Sequence, residues 1–339
     1  MQFAVGYQQP ENGEAFSDIV ADYRAAVGEV YFPWVGTPSG RPMLGHSGDL
    51  DARREQEGEL QVLRRLGIKL DLLLNGNCYG GRAVSRELEG EVISIIDHLG
   101  GLNLSPEIVT TASPAIAHML KKHFPQIEVR ASVNMRIGTT SAMGYVADLF
   151  DSFYLQRDRQ RNRVYVTQVQ DWCRANGKKL CLLANSGCLR FCPGQTFHDN
   201  LIAHSAEAER MDNLSDWNPH VCWNLYRKSE KYAEFLKSTW IRPEDLLLYE
   251  GIVDTVKLAT RQHAHPRMVI GAYANRCFNG NLLELTEPGF APAFAPNFID
   301  NTAFPSDWAE RSANCSGACD RCGYCDSVLK TVLKSYADL

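Results

Sequence analysis

Four of the 11 cysteines, Cys315, Cys319, Cys322 and Cys325, fall within eleven residues near the C-terminus. Thiols this close can seldom meet disulfide Cα distances together, whereas on a turn they can converge on one soft metal or cluster. Three consecutive short spacings point to an iron–sulfur cluster, with zinc as the alternative at this motif. Gly317 and Gly323 within the run supply tight turns.

A second set of thiols lies in Gly187-Cys188-Leu-Arg-Phe-Cys192-Pro193, after a predicted strand. Such a loop is a poor place to bury two apolar side chains, so Cys188 and Cys192 are expected to ligate a metal. Cys222 follows downstream, and Cys78 can join from across the same face. Cys173 and Cys181 sit in helical and strand patterns and read as core. Arg157 opens an arginine-rich segment directly after a predicted strand, where its fork can meet a carboxylate or phosphate. Asn75 and Asn134 are expected to reach inward from strand ends. Arg242, ahead of a helical segment with Pro243 at its first position, is a candidate anion binder, as are Lys257 and Arg261 at the end of the last predicted strand. His198, His204 and His220 are spaced too loosely to argue for zinc, and internal hydrogen bonding is the expected role. The chain holds no Gly-x-Ser-x-Gly elbow, His-Glu-x-x-His helix or phosphate-binding Gly-rich loop, and offers no recognisable nucleophile–base pair.

The elements that must carry these residues alternate. Short apolar runs at Phe3–Val5, Val30–Phe32, Leu70–Leu74, Ile108–Thr111, Val129–Val133, Phe153–Leu155, Leu180–Leu183 and Thr255–Leu258 read as eight strands. Amphipathic stretches such as Asp51–Leu66, Val84–Leu99, Pro114–His123 and Arg163–Asn176 lie between most of them. The expected fold class is α/β, a TIM-like parallel β/α barrel with a cysteine-rich C-terminal extension; a doubly wound open sheet is the alternative. The barrel is expected over 1–279, with a long insertion after strand seven (about 186–250), and the extension over 280–339. In a barrel, the strands' C-terminal ends form the working face, which is where both Cys78 and the Cys188 loop fall.

Net charge is -5 and the sequence pI is about 6.0, so no global positive field drives nucleic-acid binding. The first residues lack a basic, then apolar, leader pattern, and no long apolar stretch follows, so the protein is expected to be cytoplasmic, with no membrane insertion and its thiols reduced.

Asn185-Ser-Gly-Cys188-Leu-Arg-Phe-Cys192-Pro-Gly-Gln-Thr-Phe-His198, Trp240-Ile-Arg242-Pro243-Glu244-Asp245-Leu246 with Tyr249-Glu250, Val256-Lys257-Leu-Ala-Thr-Arg261 and Gly280-Asn281-Leu282-Leu283 together resemble peptidase family U32, the so-called collagenase-like proteases. The resemblance implies a β/α-barrel-like fold and an iron–sulfur cluster held by cysteines best matched here by Cys188, Cys192 and Cys222. It also implies oxygen-independent hydroxylation, of a quinone precursor ring or of pyrimidines in RNA, as the type of activity. The expected partners are a small anionic or RNA-borne substrate and an electron donor, and a homo- or heterodimer with a related subunit fits the same picture. One cluster is expected at the barrel mouth and a second in the C-terminal motif. The rival readings are a metal-dependent peptidase and a non-enzymatic, zinc-stapled scaffold or RNA-binding module. The dense C-terminal cysteine run sets this chain apart from the better-understood relatives.

Overall fold

The computed structural model describes residues 1–8, 13–41 and 49–338. Eight parallel strands close a barrel: β1 (Gln2–Gly6), β2 (Val27–Pro33), β3 (Lys69–Leu74), β4 (Ile108–Thr111), β5 (Glu128–Ala131), β6 (Ser152–Tyr154), β7 (Lys179–Leu183) and β8 (Thr255–Leu258). Closure comes from β1 pairing with β8, Phe3 opposite Val256 and Val5 opposite Leu258. Each apolar run of the sequence contains or overlaps one strand, because a parallel strand covered by helices outside and side chains inside carries little polarity.

Strand alternation divides the core in two. Phe3, Val5, Val30, Phe32, Leu70, Leu72, Leu182 and Val256 pack outward in the large core shared with the helices. Ala4, Tyr31 and Leu73 form one small separate cluster, and Val133, Tyr154, Cys181 and Leu183 another. These share strands with a buried ionic centre. Arg130, 1% exposed, donates to Glu29 at 2.6 Å and Glu128 at 2.9 Å, with Asp71 at 3.8 Å.

Helix starts are set by side-chain caps. Asp49, Ser85, Ser113 and Asn162 accept from the N–H groups of Ala52, Leu88, Ile116 and Tyr165, opening helices Leu50–Arg65, Arg86–Gly101, Pro114–His123 and Arg163–Ala175. Each cap is worth about 1 kcal/mol.

Between β7 and β8 the chain adds helices Gln195–Ala203, Val221–Tyr226 and Ala233–Leu236 and a 3-10 segment Glu244–Tyr249. In the extension, β9 (Asn297–Ile299) pairs antiparallel with β10 (Leu333–Ser335), and helix Tyr324–Val332 buries Val328 and Val332. One aromatic core joins the insertion to the extension: Trp240 stacks on Trp308 at 5.7 Å and Tyr232 on Phe294 at 3.9 Å. Among the described residues, no helix is long and apolar enough to cross a membrane.

Candidate functional site at the barrel mouth

The strand ends surround a cavity of about 60 Å³. Asn75, Asn134, Arg157, Lys257 and Arg261 line it, so five of the six side chains expected to bind substrate are brought together. Arg41 and Glu287 line it as well, joined at 3.2 Å. Neither stood out in the sequence: Arg41 lies in the loop after β2 and Glu287 in the tail, and only the fold brings them to the mouth. Gly40 is pressed against both asparagines. Its N–H donates to Asn75 Oδ1 at 3.1 Å, and a Cβ on it would lie 2.6 Å from Asn134 Nδ2.

Lys257 points inward from β8 with its Nζ 3.6 Å from the centroid of the Tyr31 ring. Burial pushes its ammonium down to about 7; the Asp71 carboxylate opposes this, and Arg261, Arg41 and Arg130 add to it. Burial likewise pushes Asp71 up to about 6. Arg261 is anchored by donation to Ser39 Oγ at 2.9 Å. Around this cavity the cations outnumber the carboxylates, a balance suited to an anion.

Arg242 is placed elsewhere. Its guanidinium is clasped by Asp245 at 2.9 and 2.7 Å, lies 4.5 Å from the Phe304 ring centroid, and reaches Asn301 O. Glu244 accepts from Phe278 N–H at 2.7 Å and Asn301 Nδ2 at 3.0 Å, so the Arg-Pro-Glu-Asp block ties the insertion to the tail.

Beside the cavity stands the cysteine loop. Gly187 is obligatory there: a Cβ would sit 2.7 Å from Pro288 O and 3.0 Å from Thr286 Oγ1. Arg157 donates to Ser186 Oγ at 3.3 Å and Cys188 Sγ at 3.2 Å, and thus touches both cavity and thiol. Asp158 holds the other end of the loop. Its carboxylate accepts from Phe191 N–H, and its backbone oxygen accepts from Arg190 Nε at 2.9 Å. Phe191 takes a φ of 53°, uncommon for a bulky side chain, and is exposed. Thr239 Oγ1 donates to the backbone oxygens of Ser186 and Cys188.

Cys188, Cys192 and Cys222 lie within one another's field. Burial raises the Cys192 thiol, with the Cys188 charge adding, and raises Cys222 to about 12, with Cys188 and Cys192 both adding. Cys78 is engaged differently. A hydrogen bond with His204 holds its thiol below the usual range, and Gly80 N–H donates to its sulfur at 3.4 Å. His204 Nδ1 in turn meets Glu207 Oε2 at 2.9 Å. His198 faces His220 with ring centroids 4.7 Å apart, and burial pushes it down to about 4, with the charges of His220, Arg41 and Arg157 adding.

Cys315, Cys319, Cys322 and Cys325 all line a second cavity, of about 270 Å³, with Lys237 and Arg311 in its wall. Burial raises Cys325 to about 11 and raises Cys319 as well. Among the described residues, no group of three or more His, Cys, Asp or Glu side chains is arranged to hold a single metal ion. Cys173 and Cys181 are buried in the core.

Fold and site together define a parallel β/α barrel whose mouth is rich in cations and thiols. The chain is 27% identical over 313 residues to an uncharacterised protease, MJ1657, of Methanocaldococcus jannaschii, covering 90% of this chain and 89% of that protein. The structure of the U32 peptidase Mk0906 superposes with a TM-score of 0.54 at 15% identity, covering 76% of this chain and 91% of that one, and shows the shared fold. No family model matches the chain. The resemblance to the U32 peptidase family is thereby supported from both sequence and fold.

Proposed function

We propose that the protein is an iron–sulfur enzyme that carries out oxygen-independent hydroxylation, or related redox or sulfur chemistry, on a small anionic or RNA-borne substrate. The observation that carries this reading is that Arg157 touches Cys188 while lining the cation-rich cavity, so an anion held there lies beside the thiols. The donor chemistry supports this reading, although the thiols would have to be drawn together on the metal. Cys188, Cys192 and Cys222 are crowded thiols whose anionic forms need a cationic partner, and three protein thiolates leave one iron of a cluster open. A cluster bound there supplies one-electron chemistry and a position for a transferred atom.

The remaining work falls to the side chains. Arg41, Arg157 and Arg261 balance the substrate's charge, while Asn75 and Asn134 offer directional hydrogen bonds. The cavity has room for about four waters, the bulk of one carboxylate or phosphate, so the rest of the substrate stays outside it. The test is made in anoxic cells lacking the protein and complemented with wild type or with Cys188→Ser, Cys192→Ser. Hydroxylated nucleosides or quinone precursors restored by wild type and absent with the variant support the reading; equal restoration by both overturns it.

A second reading is favoured by Cys78, His204 and Glu207, which form the nucleophile, base and orienting carboxylate order of a thiol hydrolase. It suits the peptidase names of the relatives. Peptide hydrolysis lost in Cys78→Ala yet kept in Cys188→Ser, Cys192→Ser would favour it over the first.

A further inference from the structure

The two thiol sets are joined by short connections. Arg190 follows Cys188 by two residues. Its Nε is fixed on Asp158 O, and its Nη1 lies 3.8 Å from Cys315 Sγ. The same guanidinium faces Gly317, 3.7 Å from the position a Cβ would take, so the cysteine-bearing turn passes directly over it. A second arginine runs beneath. Arg161 donates to Leu236 O at 2.7 Å and Ser238 O at 2.9 Å, and lies 5.2 Å from the ring centroids of both Trp240 and Trp308. Its charge is felt by Cys325 and Cys315. Thus one segment, 157–161, touches Cys188 through Arg157 and faces the C-terminal thiols through Arg161, and Arg190 spans the gap between the sets.

We infer that the C-terminal four-thiol cavity is a second redox centre wired to the barrel mouth, and that Arg190 is the positioning residue that couples them. The inference rests on the iron–sulfur reading above. The geometry supplies a direction for electron flow. Cys319 and Cys322 are exposed while Cys188, Cys192 and Cys222 are half-buried, so a one-electron protein donor meets the C-terminal centre first. That centre gains one electron as the donor loses one, and passes it to the mouth, with no bond made or broken. A guanidinium next to a ligand sulfur favours the more negative, reduced state, so Arg190 raises the potential of the C-terminal centre.

The experiment uses full-length protein, reconstituted anaerobically, with iron, sulfide and zinc quantified and a dithionite titration followed by electron paramagnetic resonance. Cys319→Ser, Cys322→Ser replaces exposed side chains, so the fold should survive. It should lose about half of the iron and sulfide and one of two signals. Arg190→Gln should keep both iron and sulfide but move one midpoint to lower potential, and Arg190→Lys should move it back. Unchanged iron in the double variant, zinc in place of iron at that cavity, or an unshifted midpoint in Arg190→Gln would overturn this inference while leaving the mouth cluster standing. A wild-type protein that takes up no iron would overturn the underlying reading as well.

Discussion

Replacing Lys257 by Met should remove the pH dependence of anion binding at the barrel mouth. Burial holds this ammonium at about 7, so near pH 6 it is charged and above pH 8 it is neutral. Each unit of negative charge about 4 Å from it gains about 4 kcal/mol at an effective dielectric of about 20, an upper bound equivalent to about three decades of affinity. Because the bound anion favours the charged lysine, wild-type affinity should fall by up to about tenfold per pH unit above pH 7. Of the other groups facing Lys257 only Asp71 weakens anion binding in the same direction, and it does so below the window read here, being ionised above pH 7. Asp71 titrates at about 6, Arg41, Arg130 and Arg261 stay charged, and burial pushes Tyr31 up to about 12 and Tyr154 well above its usual range. Sulfate is a suitable probe because its charge is constant over this range. Calorimetric titration at fixed ionic strength should show a falling affinity for wild type and a weak, flat one for Lys257→Met. The stability of the unliganded protein should run the other way. The unfolded chain binds more protons than the folded one between about 7 and 10.5, so stability rises with pH through that window in wild type and not in the variant. A flat wild-type affinity, or an equal slope in Lys257→Met, would refute the placement of this lysine in the anion site.

Arg242→Met should lower stability, by about 3 kcal/mol for the unpaired Asp245, and leave sulfate affinity unchanged; a large loss of sulfate affinity would return Arg242 to the mouth. Arg130→Met strands Glu29 and Glu128 inside the barrel and should cost about 3–5 kcal/mol in urea unfolding, a value below about 1 kcal/mol being incompatible with the buried centre. Gly187→Ala should lower the melting temperature through about 1–3 kcal/mol of overpacking against Pro288 O, and unaltered melting would contradict that contact. Asp158→Ala releases Phe191 N–H while leaving the backbone contact of Arg190 in place, so alkylation of Cys188 and Cys192 in the metal-free protein should speed up; an unchanged rate would show that the loop is held by other means.

The barrel was legible because each strand is a short, nearly unbroken apolar run between helical patterns, and the five cavity residues because each sits at or just beyond a strand's C-terminal end. Arg242 could not be placed that way. An Arg-Pro-Glu-Asp sequence reads equally as an anion site or as an arginine folded back onto its own Asp at i+3, and only Phe304 and Asn301 from the tail decide for the second. Cys78 with His204, Arg41 with Glu287, and Arg190 with Cys315 join residues distant in sequence, with no periodicity or local spacing to announce them. Asp158 was invisible for another reason: its role is to hold Phe191 N–H at a positive φ, a backbone feature that residue types alone do not encode.

The central claim, that the thiols beside the anion cavity hold iron and sulfide, is tested most directly by purifying the protein without oxygen and quantifying both per chain in wild type and in Cys188→Ser, Cys192→Ser. The account predicts both elements in wild type, and in the variant only the share belonging to the C-terminal thiols. Equal iron and sulfide in the two proteins, or neither element in wild type after anaerobic reconstitution, would contradict it.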